Sequence, residues 1–300
     1  MLKHRQTTGD LIFSIINYSV FIAFTIICIF PFYYIFINTI SANDLSATGK
    51  ILLLPKGIHF GNYIKVLQLQ GLPMAAIVTL GRTVLGTVLS VYCSAFVAFV
   101  ITRQELWHRK FVYRFFIVTM YFNAGLIPWF ITMKMLHLTN NFLAYIIGVI
   151  APFNMILIKT YIENTPISLQ ESAEIDGAGY LTIFWRIVLP LCTPILATIA
   201  VFTAVGQWNS FTDTLFLMTN SKLYTLQFLL YQYLNQATAL ANMMKSASTS
   251  GILVIPPTQQ LTTTAIKMTI AMVVVLPILF VYPFFQRYFV KGIMIGAVKG

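Results

Sequence analysis

Six apolar runs, near 13–38, 77–101, 112–132, 143–162, 191–213 and 265–289, govern what this 300-residue chain can fold into. Each is long enough for an α-helix to cross a hydrocarbon core, which takes about 20 residues. Inside that core the backbone must satisfy its own hydrogen bonds, and a helix does so within one segment. The expected fold is therefore all-α and integral to the membrane, six transmembrane helices forming one domain over 1–300. Only 9% of the residues are charged, against about a quarter in a soluble domain.

The formal charge of +11 does not indicate nucleic acid, because Lys and Arg are scattered between the apolar runs rather than massed into a patch. Arg103, Arg109, Lys110 and Arg114 crowd the second loop, with Lys3 and Arg5 before the first run and Arg287, Lys291 and Lys299 after the last. The positive-inside rule then assigns both termini, the 102–111 loop and the 163–190 loop to the cytoplasm. Loops 41–76, 133–142 and 214–264 fall outside. The run from Leu11 to Ile40 is about twice a signal-peptide core in length and reads as an uncleaved first span. Ser250–Gln260 is apolar but too short to span: an interfacial or re-entrant segment, or a contact surface for an external partner.

The 163–190 loop breaks the pattern. Of eight acidic residues in the chain, four (Glu163, Glu171, Glu174 and Asp176) lie here. Thr165, or Asn164 before it, can cap a helix whose first residue is Pro166. Good helix formers continue to Asp176, and Gly177, with Gly179 behind it, offers a left-handed stop. A second short helix, Tyr180 to Leu189, is expected to halt at Pro190. Two short helices around a glycine turn make a compact cytoplasmic knuckle.

Within it Glu171, Ala173, Gly177, Ile187, Leu189 and Pro190 follow the order E-x-A-(x)3-G-(x)9-I-x-L-P. This resembles the EAA loop of permeases in ABC importers, with Ser172 in place of the usual alanine. The ESAEIDGA core is similar to the carbohydrate branch. So are Phe122–Pro128 and the ending Tyr282–Gly292 with Gly296–Gly300. The resemblance implies a maltose-permease-like fold, and a non-catalytic permease subunit that translocates a carbohydrate, an oligosaccharide in particular, across the bacterial cytoplasmic membrane. It implies that Glu171, Ser172, Ala173, Asp176, Gly177, Ile187, Leu189 and Pro190 couple to an ATPase. Its implied partners are two ATP-binding subunits, a second and related permease, and an extracytoplasmic solute-binding protein. ATP and Mg would sit in the partner ATPase, with no cofactor or metal in this chain. The C-terminal tail, Gly296–Gly300, would reach the ATPase interface. The alternative within the superfamily is a permease for a polyamine or an amino acid.

No G-x-x-x-x-G-K-[ST] phosphate loop occurs: Gly49-Lys50 lacks the upstream glycine and the following Ser or Thr. Cys28, Cys93 and Cys192 sit in apolar runs and read as packing residues; the four histidines are dispersed without ligand spacing. An ion-coupled secondary transporter would need partnered ionisable groups within the membrane. The candidates Arg82, Lys159, Asp213 and Lys267 all fall near span ends, where snorkelling explains them. For a sugar path the fifth run offers Gln207, Trp208, Asn209, Ser210 and Asp213. Tyr121, Asn123 and Asn154 are further candidates. Polar side chains in such a run must face water or other helices, and bonding between helices is the competing reading.

Overall fold

A computed structural model describes residues 8–148, 150–236, 264–279 and 283. Ser250–Gln260, Tyr282–Gly292 and the Gly296–Gly300 tail, for which the sequence raised expectations, lie outside them, apart from helical Pro283. All regular structure among the described residues is helical. Contacts gather into two units, 1–69 with 233–275 and 70–232 with 276–300.

In the first unit α1 (Thr8–Thr39) carries apolar side chains on every side, and the buried residues are at its C-terminal end: Ile37, Asn38 and Thr39. A helix apolar all round needs lipid or protein around it. That end is held by polar side chains. Asn38 Nδ2 donates to Tyr34 O at 2.9 Å and its Oδ1 accepts from Ser46 Oγ on α2 (Asn43–Ala47) at 2.8 Å. Asn62, on α3 (Gly61–Leu67), donates to Thr39 O and Asn43 Oδ1, both at 2.9 Å. Cys28 is exposed on α1, contrary to the packing role expected of it.

In the second unit α4 (Leu72–Thr102) is the central rod, packed against α7 (Pro152–Glu163) and α10 (Thr193–Asn209). Gly86, Ser90, Ser94 and Ala98 recur every four residues on it and are all buried. Such a small-residue stripe lets helix backbones approach closely. Cys192 and Ile199, beside and on α10, join α4's Ala95 and Phe99 in the core.

The expected runs 13–38 and 77–101 lie inside α1 and α4, the two described helices long and apolar enough to cross a membrane. The others are interrupted. The 112–132 run is α5 (Arg109–Tyr121) and α6 (Leu126–Met135), bent by 118°. Asn123 Oδ1 accepts from Gly125 N–H at 2.9 Å while Gly125 takes φ +84°, an Asx turn followed by a left-handed glycine. The 143–162 run opens with a 3-10 turn (Phe142–Tyr145), and Pro152 starts a helix of only 12 residues, about 18 Å long. The 191–213 run ends as helix at Asn209, and after an extended Ser210 a short α11 (Thr212–Leu217) begins. A helix at 226–236 (α12) follows, and Thr264–Leu279 (α13) is the described part of the last run.

Candidate coupling surface and polar cavity

The acidic loop folds as a helical knuckle. α8 (Ser168–Ile175) ends where Gly177 turns to φ +81°. Gly177 N–H bonds Glu174 O at 3.0 Å and Ala178 N–H bonds Ala173 O at 2.9 Å. This pair of bonds is the Schellman arrangement, and the left-handed residue it requires is the expected glycine. The N-terminal expectation fails: α8 starts at Ser168 with no side-chain cap. Thr165 Oγ1 instead donates to Ile162 O at 2.6 Å and Asn164 Nδ2 to Thr160 O at 2.9 Å, so both finish α7.

The second helix, α9 (Tyr180–Leu191), runs through Pro190 instead of stopping there, and the 79° bend to α10 comes at Cys192. Pro190 has no N–H for the carbonyl one turn back, and its ring crowds that carbonyl. The chain answers with a wider π turn over Phe184–Val188. α9 is anchored by Phe184, fully buried, with ring centroids 5.3 Å from both Phe96 and Phe99 and 5.8 Å from Tyr92.

Of the residues expected to couple, Glu171, Ser172, Asp176, Gly177 and Pro190 are exposed. Ala173 and Leu189 pack against the core, and Ile187 is half-buried. Ile175 is 87% exposed among the acids. An apolar side chain so exposed on a polar surface suits a protein partner.

Sequence reading missed the arginine that holds this knuckle. Arg103 Nη1 donates to Glu174 Oε1 at 2.8 Å and Nη2 to Gln170 Oε1. Its guanidinium lies 4.4 Å from the Phe99 ring centroid and 5.6 Å from that of Tyr180. Its partners on the knuckle, Gln170, Glu174 and Tyr180, are some 70 residues from Arg103, so no local pattern announces them. Tyr92, Phe96 and Phe99 do leave a signal: their spacing puts them on one helix face.

At the other end of α4, Arg82 is buried, 2% exposed. Nη2 reaches Asp213 Oδ2 at 2.6 Å, and Nε and Nη2 reach Gln207 Oε1 at 3.1 and 2.9 Å. Ser210 O accepts from Nη1 at 3.3 Å, and the Tyr145 ring centroid lies 4.5 Å from the guanidinium carbon. Arg82 and Asp213 are therefore a partnered pair and not snorkelling groups. Lys159 is likewise paired, with Glu163 at 2.6 Å, over the Tyr113 ring. Gly86 makes room for this arrangement: a Cβ there would come within 2.8 Å of the Gln207 amide.

Arg82, Asp213 and Gln207 line a cavity of about 440 Å³ with Trp129, Tyr145 and Asn154. A neighbouring one of about 450 Å³ includes Asn123, Trp129 and Asp213. Gln207, Asn123 and Asn154 thus reach the cavities. Trp208 is buried and Asn209 exposed outside both linings, because successive helical residues point about 100° apart. Tyr121, at the end of α5, is 80% exposed and also outside them.

Apolar helices in broken spans, a polar cavity and an exposed acidic knuckle define a multi-pass membrane transport component. The chain belongs to the family of binding-protein-dependent transport system inner membrane components, whose model matches residues 4–295. It is 32% identical over 290 residues to the polygalacturonan/rhamnogalacturonan transport system permease YtcP of Bacillus subtilis (strain 168), covering 96% of this chain and 99% of that one. It is also 32% identical to protein LplC of the same organism over 297 residues, 99% of this chain and 98% of LplC. A crystal structure of a bacterial ABC transporter involved in the import of the acidic polysaccharide alginate contains a similar chain. That chain has a TM-score of 0.83 and 29% identity, over 95% of this chain and 99% of that one.

Proposed function

We propose that this chain is one of two permeases in an ATP-driven importer for an oligosaccharide. Supporting this, relatives carry names such as polygalacturonan/rhamnogalacturonan and arabinooligosaccharide permeases, and the chain shares the family of membrane components. The observation that carries the coupling role is the α8–Gly177–α9 knuckle, with Glu171, Asp176 and Ile175 outermost. Two ATP-binding subunits, holding ATP and Mg, would grip it from the cytoplasm. A related second permease completes the path, and an extracytoplasmic binding protein delivers the sugar to the outer loops. In this arrangement the chain is a single transmembrane domain that crosses the membrane six times, the interrupted runs counting as crossings, with both termini inside. ATP-driven closure of the partner subunits moves α8 and switches the bundle between outward- and inward-facing states. Gln207 and Asn123 meet the passing sugar, whose rings suit the aromatic plate of Trp129.

The test is affinity purification of the membrane complex followed by uptake in proteoliposomes of oligogalacturonate, alginate oligosaccharides, arabinooligosaccharides, maltotriose and spermidine. An ATPase subunit should co-purify, and one of the sugars should be imported. Recovery of no ATPase, or uptake of spermidine alone, would overturn the reading. Glu171→Lys should leave membrane assembly intact while abolishing uptake.

A further inference from the structure

We propose that Arg103 is the pin that makes α4 follow α8, so that movement of the coupling knuckle reaches the polar cavity along a single rod. The proposal rests on the reading of α8 as the ATPase-docking helix. Arg103 closes α4, its N–H bonded to Val100 O at 3.2 Å. Its guanidinium crosses to Gln170 and Glu174, one turn apart on α8, and lies near the Phe99 ring of α4 and the Tyr180 ring that opens α9. One side chain thus touches α4, α8 and α9. The salt bridge alone would be weak, since Glu174 is 42% exposed. Gln170 is buried, however, and a planar guanidinium can bond two acceptors and face two rings at once, which a lysine cannot. Twenty-one residues up the same helix, about 31 Å, Arg82 fixes α4 to Gln207 and Asp213 on the cavity wall.

The test uses the full transporter, free of native cysteines, with spin labels at Val88→Cys on α4 and Ile175→Cys on α8, both exposed positions. Pulsed EPR compares the nucleotide-free complex with one trapped by Mg-ATP and orthovanadate. The wild-type arginine should give one narrow distance, unchanged by trapping. Arg103→Ala should keep it without nucleotide and lose it on trapping, with Arg103→Lys in between. Glu174→Ala, which breaks the contact from the exposed side, replaces Arg103→Ala if that variant fails to assemble. Distances in the alanine variant that match the arginine form in both states overturn the pin, as does a shift in the arginine form itself. Equal broadening in both states marks a merely structural contact and also overturns it. A crosslinker with a maleimide at one end and an N-hydroxysuccinimide ester at the other should link Ile175→Cys to a lysine of the ATPase, the thiol adding to the maleimide and the amine displacing N-hydroxysuccinimide. Its failure to do so would remove the docking reading and the pin together, whereas linkage with unaltered distances removes the pin alone.

Discussion

Replacing Asp213 by alanine isolates the energetics of the buried pair. Arg82 is 2% exposed and Asp213 16%, and among the described residues the carboxylate is the only anion bonded to this guanidinium. Its removal leaves a buried cation with only the neutral acceptors Gln207 Oε1 and Ser210 O. Breaking a buried pair from one side costs about 3–5 kcal/mol, whereas replacing both partners with apolar residues of similar volume is often close to neutral. At about 1.4 kcal/mol per decade, the single change is worth roughly two to four orders of magnitude in the folding equilibrium. Because membrane proteins commonly unfold irreversibly, the measurable quantity is the half-life of the monodisperse peak at a fixed temperature. Asp213→Ala should shorten it steeply and Asp213→Asn less, since the amide still accepts a hydrogen bond. Arg82→Met with Asp213→Leu should recover most of the loss while impairing transport, because Gln207 loses its anchor. An Asp213→Ala protein as durable as the wild type, or a double variant as short-lived as the single, would refute this reasoning.

Phe184→Ala removes a fully buried ring from the α9–α4 contact and should cost about 3–5 kcal/mol, read as accelerated heat inactivation. Gly177→Ala meets no atom within 4 Å but requires φ +81°. It should therefore cost about 1–2 kcal/mol of local backbone strain, seen as faster hydrogen exchange at Ala178 with the rest of the chain unaffected. Gly86→Ala drives a Cβ toward the Gln207 amide and should lower uptake more than it lowers thermal durability; the opposite ranking would count against a role for Gln207 at the cavity.

The knuckle was legible because its signals are local: Gly177 is left-handed for the reason the sequence suggests, and the acidic Glu171 and Asp176 are exposed. The capping expectation failed because Thr165 had a nearer acceptor in α7. The halt at Pro190 failed because a helix can widen by one residue and carry a proline through. Hydropathy found the six runs, but it averages over Asn123–Gly125 and Ser210 and so hides the breaks. Arg82 looked like a span-end charge and Arg103 like a loop charge because their partners lie 131 and 71 residues away. Distance along the chain conceals such pairs from any local pattern.

The bonding of Arg82 bears on where selectivity can arise. Arg82 and Asp213 are the charged side chains lining the cavity of about 440 Å³, and they cancel. With its donors turned to Asp213, Gln207 and Ser210, the guanidinium offers no spare hydrogen to a carboxylate-bearing sugar. The wall thus carries no net charge: its other polar side chains include the hydroxyls of Ser90, Thr203 and Ser210, the amides of Asn154 and Gln207, and the Trp129 indole, with the Tyr145 hydroxyl bonded to Thr214 and Leu223 O. On the proposed sugar path this wall gives no charge by which to separate acidic from neutral cargo, and that selection would fall to another surface.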